Sequence, residues 1–411
     1  MGENPARIHR TLFDGGVFAL IDCPARLTGV TVPHVKALII GAGQAGLAAA
    51  HELRRRGLVP GTDFVVLDAG EGPGGAWRYR WDSLTLGKAH GIADLPGLAM
   101  ERPDPLIPAS RLVSEYYGAY EELFEFAVVR PARVSRVSGD SGPLEVVLDD
   151  GRSWRADVVL NATGTWTNPY IPYVPGIADF RGRQLHTVNY RRAEDFDGQK
   201  VLVVGGGLSA VQFLLELEGH ASTVWATRRP PNFTSREFDS GWGLAVEDAV
   251  RERTRAGEAP ASVVRTTGIP QLSDYLAGVE RGVLVSRGMF DRITPGGAVF
   301  DEVVDGATRG LGPSRSDVLQ VPDSWDPWPA GHEEDVDVIF WNTGFRPALR
   351  HLAPLRLREP GSRGIRMLDE VTPAKDPRVL LVGYGSTAST VGATRAGRLA
   401  GRTAARYLEG I

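Results

Sequence analysis

Two stretches of this 411-residue chain have the residue types and spacing of a pyrophosphate seat. In ALIIGAGQAGLAAAHELRRRG (37–57), Gly41, Gly43 and Gly46 follow an apolar run and open a helical pattern. The first glycine permits a tight turn, the second lets a pyrophosphate approach the backbone, and the third lets helix and strand pack closely. Gln44 and Ala45 fall at the helix start, where free N–H groups and the positive dipole end favour an anion. Asp68 closes the next apolar run, TDFVVLD, where an acid accepts hydrogen bonds from ribose hydroxyls. In VLVVGGGLSAVQFLLELEG (201–219) the spacing recurs as Gly205, Gly207 and Ala210, with Leu208 and Ser209 at the helix start. The strand that follows, STVWATRR, ends in Arg228 and Arg229 and carries no acid there. A carboxylate repels a 2′-phosphate and an arginine pairs with it.

Two unlike seats imply two dinucleotides that meet. The economical assignment is FAD in the first and NADPH in the second, with a hydride passing between them. The rest of the chain offers little competing chemistry. Its one cysteine, Cys23, excludes a disulfide framework and a catalytic thiol pair within the chain. His332 lies among acids in GHEEDVD, but this segment precedes a strand and reads as a solvated loop, not a metal site.

The elements that must position these residues read as α/β. Strand, glycine turn, helix and strand alternate twice, so two Rossmann-like dinucleotide-binding domains with parallel sheets are expected. Residues 1–165 and 338–411 are assigned to an FAD-binding domain, with 1–35 as an N-terminal extension. Residues 166–337 are assigned to an inserted NADPH-binding domain carrying a loop-rich insertion near 305–335. The connectors 166–176 and 333–340 would form a two-strand hinge, with substrate bound in the cleft between domains. Residues 85–100 and 232–282 are expected to line that cleft. A last helix is expected to begin near Ser386, after Gly385, with its N-terminus aimed at the flavin so that the dipole stabilises negative charge there.

The charge balance is near neutral: 46 Lys and Arg against 50 Asp and Glu give a formal net charge of −4. That argues against nucleic acid or an anionic membrane as partner. No run reaches the ~18 apolar residues of a membrane span, and no signal peptide is evident, so a cytoplasmic location is expected. A homodimer is compatible with the sequence but not read from it.

Further motifs resemble those of class B flavin-dependent monooxygenases. Asp68 followed by Gly74-Gly75-Ala76-Trp77 is similar to that group's acid and GGxW segment, and RYRWDSLTL (78–86) continues the match. Phe180, Gly182, His186 and Tyr190 resemble its FxGxxxH fingerprint. NATG (161–164) and NTGF (342–345) resemble its crossover strands, which adds Thr163, Gly164, Thr343 and Gly344 to the cofactor-binding set. The group spans N- and S-oxygenating enzymes, N-hydroxylases and Baeyer–Villiger enzymes. The resemblance implies that NADPH reduces FAD, that O2 is captured as a C4a-(hydro)peroxyflavin, and that one oxygen atom passes to a small organic substrate. Gly75 would let the backbone approach the flavin, with Trp77 and Trp81 covering it. His186 is expected to act at the hinge or in cofactor positioning.

Two departures refine the expectation. Many relatives carry an asparagine shortly after the DSL segment; here that region reads TLGKAHGIADLPG (85–97), with no asparagine and with Lys88 and His90 as the polar candidates. Lys88 is the favoured catalytic group there. Tyr190 stands where Baeyer–Villiger enzymes usually have tryptophan, which favours N- or S-oxygenation. The alternatives are an FAD/NADPH oxidoreductase without oxygen transfer and a non-catalytic nucleotide-binding redox sensor.

Overall fold

The structure, a computed structural model, describes residues 32–89, 92–102, 104–235, 248, 250–260, 268–304, 307–308, 319–361, 364–388 and 390–410. Cys23, His90, residues 1–31 of the N-terminal extension, residues 305–306 and 309–318 of the insertion, and parts of 232–282 lie outside them.

Ala37–Ile40 of β1 (His34–Ile40) and all of β2 (Phe64–Leu67) are apolar and buried on both faces, as a parallel strand covered on two sides must be. Between them α1 (Gln44–Arg55) is built largely from alanine and leucine, which favour helix. Arg54 and Arg55 sit in its last turn, at the negative dipole end. α2 (Ala109–Leu123) leads to β3 (Val128–Val129), and an antiparallel meander follows: β4 (Val134–Ser138), β5 (Leu144–Leu148) and the long β6 (Ser153–Asn161). The sheet order is β3-β2-β1-β6-β5-β4, with β3, β2, β1 and β6 mutually parallel.

A second sheet is built from β7 (Arg183–His186), β8 (Lys200–Val204), β9 (Ser222–Ala226) and β10 (Val338–Trp341), in the order β7-β10-β8-β9 and parallel throughout. α3 (Leu208–Leu217) connects β8 to β9. α4 (Ser273–Glu280) and an antiparallel sheet of Phe290–Ile293, Gly297–Phe300 and Glu333–Asp335 intervene before β10. The chain then returns to the first sheet. β11 (Val379–Leu381) pairs with Val159–Asn161 of β6, while Ser153–Ala156 of the same strand pair with β5. α5 (Thr390–Glu409) lies against α1, and a Cβ on Gly397 would fall 2.3 Å from the Ala45 carbonyl oxygen.

Three expectations need correction. Residues 338–341, assigned to the FAD-binding unit, form β10 in the middle of the second sheet. The reason is topological: a strand buried on both faces fits either sheet, and its register with Val201–Val204 decides the matter. The segment 333–340 is therefore not a connector, since Glu333–Asp335 and β10 both pair within the second unit. The last helix also begins later than expected: Gly385–Thr387 form a 3-10 turn and α5 starts at Thr390.

Alternating residues of each strand feed opposite cores. In the first sheet, Ala37, Ile39, Val158 and Leu160 face α1, α2 and α5, while Leu38, Ile40 and Val159 join a core with the meander and Leu352, Leu357, Ile365 and Met367. In the second, Val201, Val203 and Phe340 pack on Phe213, Leu214 and Leu217 of α3. Each such fully buried side chain contributes about 1.5–3 kcal/mol. Trp81 and Leu84, which precede the second unit by about a hundred residues, are buried in this same core.

Candidate active site

The two glycine turns are built alike at the C-terminal ends of the two central strands. Gly41 has φ +103°, and a Cβ there would lie 2.5 Å from the Ala162 carbonyl oxygen at the end of β6. Gly205 has φ +135°, and a Cβ there would lie 2.3 Å from the Asn342 carbonyl oxygen at the end of β10. In each case the turn is pressed against the strand by which the chain leaves that sheet. Gly43 and Gly207 are the N-caps of α1 and α3, and no side chain hydrogen-bonds at either cap, which suits a helix start that receives an anion. Gly46 packs back on the Gly41 carbonyl. The helix starts at Gln44-Ala45 and at Leu208-Ser209, and Ala210 is buried.

The first seat is closed by the GPGG segment. A Cβ on Gly75 would stand 2.8 Å from the Gly43 Cα, so the two backbones form a cradle that side chains would fill. Trp77 is half-buried beside it and packs on both helical cores. Asp68 accepts hydrogen bonds from the backbone N–H groups of Ala42 at 3.1 Å and Gly70 at 2.7 Å. Arg130, just past β3, reaches Asp68 at 3.3 Å and forms a bidentate pair with Glu121 at 2.6 and 2.7 Å. Burial pushes the Glu121 carboxyl above its ordinary range although Arg130 pulls it down, and the Arg130 guanidinium is held charged despite its own burial. Gln44 donates to the Thr394 hydroxyl of α5 at 2.8 Å. The cradle without Cβ atoms, the open helix start and the acid at the end of β2 fit a dinucleotide with a free ribose.

In the second seat Thr227 bonds the Ser286 hydroxyl at 2.7 Å, and Trp225 donates its indole N–H to the Gly205 carbonyl at 2.7 Å. Arg228, exposed, and Arg229, half-buried, follow directly. These residues fit a dinucleotide whose ribose carries a phosphate.

Two crossing strands join the sheets. Residues 162–170 leave β6 and residues 342–348 return from β10, paired as an antiparallel ribbon. Tyr170 N–H donates to Gly344 at 3.0 Å, Arg346 N–H to Asn168 at 2.9 Å, and Ala348 N–H to Gly164 at 3.0 Å. Thr163 donates to the Ala348 carbonyl at 2.8 Å and Thr343 to that of Tyr170. Thr163, Gly164, Thr343 and Gly344 thus all lie in this ribbon. His186 ends β7 and is 2 % exposed. Its Nε2 bonds the Gly344 carbonyl at 3.0 Å, its edge meets Phe345 at 5.0 Å, and its Nδ1 is buried without a partner. Burial pulls its pKa below the usual value, against the opposing effect of that hydrogen bond. Lys88 is exposed, and its carbonyl accepts from Gln212 of α3 at 3.4 Å. No hydrogen bond links Lys88 to His186. Gly385 has φ +68° and packs on Thr254; Ser386 lies in the following 3-10 turn.

Trp81 departs from its expected place over a flavin. It is 5 % exposed, with its ring against Phe213 at 4.6 Å and Tyr190 at 5.8 Å. These contacts hold the ring in the core of the second unit. The hydroxyls of Tyr190, at 2.6 Å, and Ser83 both donate to Glu216 of α3. Arg130 and Glu216 carry no motif in the sequence, because their partners Asp68 and Ser83 lie 62 and 133 residues away. Among the described residues no group of His, Cys, Asp and Glu could hold a metal ion, and no helix is long and apolar enough to cross a membrane.

Comparison with known proteins gives this geometry its family. Residues 38–259 match the model described as pyridine nucleotide-disulphide oxidoreductase. A flavin-containing monooxygenase from Stenotrophomonas maltophilia shares the fold with a TM-score of 0.71 and 33% identity, over 92% of this chain and 99% of that one. A Baeyer–Villiger monooxygenase of Streptomyces coelicolor is 31% identical over 76% of this chain and 64% of its own length. An indole-3-pyruvate monooxygenase, YUCCA1, of Oryza sativa subsp. japonica is 36% identical over 51% of this chain and 52% of its own length. The chain thus spans about half to two thirds of the curated relatives it matches. It belongs to the pyridine nucleotide-disulphide oxidoreductase family and, within it, to the class B flavin monooxygenases. Enzymes of that group use FAD and NADPH.

Proposed function

We propose that this chain is an NADPH-dependent FAD monooxygenase that transfers one oxygen atom from O2 to a small organic substrate, by N- or S-oxygenation. The observation that carries the reading is the pair of like-built glycine turns on two sheets, one followed by Asp68 and the other by Arg228 and Arg229.

Gly41, Gly43, Gly46 and Gly75 would hold FAD at the α1 start, with Asp68 accepting from its ribose and Arg130 fixing that carboxylate. Gly205, Gly207 and the first turn of α3 would hold NADPH, with Arg228 and Arg229 on its 2′-phosphate. FAD bound in this way supplies the redox chemistry that links the nicotinamide to dioxygen. The protein's share is orientation. The ribbon of 162–170 and 342–348 lets the second unit turn on the first, and His186 braces that turn through the Gly344 carbonyl. In this reading residues 1–165 and roughly 346–411 make the FAD unit, and the NADPH unit lies between. Lys88 stands beside α3 at the domain boundary and is the assigned polar group near the reacting centre.

Ketone oxygenation is the second reading, favoured by the similarity to the Streptomyces coelicolor enzyme. The test is incubation of the FAD-loaded protein with NADPH, O2 and a panel of one amine, one sulfide and one cyclic ketone. The expected result is NADPH consumption matched by N-oxide or sulfoxide. A lactone product would favour the second reading. Full recovery of reducing equivalents as hydrogen peroxide with every compound would overturn both.

A further inference from the structure

Arg80 stands in RYRWDSLTL, between the first glycine cradle and α3. Its guanidinium carbon lies 4.0 Å from the ring centre of Trp166, 5.7 Å from Trp77 and 5.8 Å from Trp81. Its Nε is buried without a partner, and the guanidinium makes no hydrogen bond or ion pair among the described residues. Burial of this unanswered charge pulls its pKa down to about 10. A cation held by aromatic faces alone leaves most of its five N–H donors unused, which is costly unless something else accepts from them.

The space beside it is a cleft of about 480 Å³ between the two units. Arg80 and Trp81 line it from the RYRWDSLTL segment, and Arg191, Arg192 and Glu216 from the second unit. The charges around the cleft are not equally free. Arg192 is answered by Asp195 at 2.9 Å. The Glu216 oxygen that faces Tyr190 and Ser83 already accepts from both hydroxyls. His220 is taken by Asp197 at 2.6 Å. Asp82 and Glu194 are exposed, and Asp82 accepts from the Ser110 hydroxyl at 3.4 Å. Arg191 is different: it bonds only the backbone carbonyls of Val188 and Tyr190, and no carboxylate pairs with it among the described residues. Two guanidinium groups without an acid, one from each unit, therefore border one cleft with an indole wall.

We infer that this cleft binds a small organic carboxylate, whose anionic group is shared by Arg80 and Arg191 and whose apolar body rests against Trp81. A planar carboxylate matches a guanidinium fork, and bridging the two units would favour one domain orientation. The carboxylate is either the substrate's own acid group or a separate effector. The first source rests on the monooxygenase reading above; the binding site itself does not.

The test uses the FAD-loaded protein and (phenylthio)acetate, with 2-(phenylthio)acetamide as its uncharged counterpart. Binding is read by titration calorimetry without NADPH, so it is independent of turnover. The acid is expected to bind at least tenfold more tightly than the amide, and Arg80→Leu and Arg191→Ala are each expected to weaken the acid tenfold or more and the amide little. Arg191 is exposed, so its variant keeps the test valid if Arg80→Leu fails to fold. Equal binding of acid and amide, or an unchanged affinity in Arg191→Ala, would overturn the site. With NADPH and O2 added, sulfoxide formed from the acid assigns the site to substrate. Tight binding that changes the NADPH oxidation rate without sulfoxide assigns it to an effector.

Discussion

Trp166 stacks on Phe345 with ring centroids 5.2 Å apart and planes inclined by 27°, so the two strands that join the sheets clasp one another. Trp166 comes from the outgoing strand and Phe345 from the returning one. Phe345 also receives the edge of His186, and Arg80 covers the other aromatic ring. The two connecting strands thus have a packed centre, on which the proposed turning of the second unit would depend.

Loosening that centre should change communication between the seats before it changes either seat. A stacked aromatic pair is worth about 0.5–1.5 kcal/mol beyond its burial. Phe345→Leu is expected to retain FAD and to slow flavin reduction by NADPH about three- to tenfold in anaerobic stopped-flow traces. An unaltered reduction rate would show that the stack plays no part in bringing the nucleotides together.

The two glycine turns allow a paired experiment. Gly41→Ala and Gly205→Ala each force a side chain into positive φ and against a carbonyl oxygen. Gly41→Ala should purify with little FAD. Gly205→Ala should keep FAD, read by its visible absorbance, yet raise the NADPH KM by tenfold or more. Loss of FAD from both variants to the same degree would deny that the seats are separate.

Specificity between the nicotinamide cofactors should reside after β9. A charge-assisted hydrogen bond contributes about 1.5–3 kcal/mol. Arg228→Ala and Arg229→Ala are therefore expected to raise the KM for NADPH by about tenfold or more, and that for NADH less than about twofold. Equal changes with both nucleotides would refute a 2′-phosphate contact.

His351 makes the fold sensitive to acid. It is buried, its Nε2 meets the Asn161 side-chain oxygen at 2.6 Å, and burial pulls its pKa from 6.5 to about 4. Below pH 6.5 the unfolded chain takes up a proton that the folded chain refuses, so stability falls as pH drops from about 6.5 towards 4. The full effect is about 3 kcal/mol at ~1.36 kcal/mol per pKa unit. His186 is shifted in the same direction and adds to the slope. Urea denaturation of His351→Gln should show a shallower decline across this window than the parent protein. Parallel pH profiles would mean that another group carries the dependence.

Much of this was legible from local pattern. Strand, glycine turn and helix are contiguous, so Gly41 to Asp68 and Gly205 to Arg229 could be read from spacing alone. Residues whose roles depend on register or distant packing could not. Val338–Trp341 has the apolar run of either sheet, and only its pairing with Val201–Val204 assigns it. Arg130 meets Asp68 because β3 lies beside β2, a neighbour relation that no motif encodes. Trp81 looked like a flavin cover by its nearness to Trp77, but the aromatic surface of Phe213 and Tyr190 draws it into the other unit.

The placement of β11 and α5 has a consequence for biosynthesis. Thr394 of α5 bonds Gln44 beside the first seat, and β11 completes the sheet alongside β6. Both elements leave the ribosome after the whole second unit. The second sheet can be completed while translation continues, whereas one flank of β6 and one face of α1 stay uncovered until Val379–Leu381 and Thr390–Glu409 have been made. Closure of the first seat is therefore a late event in the life of the nascent chain.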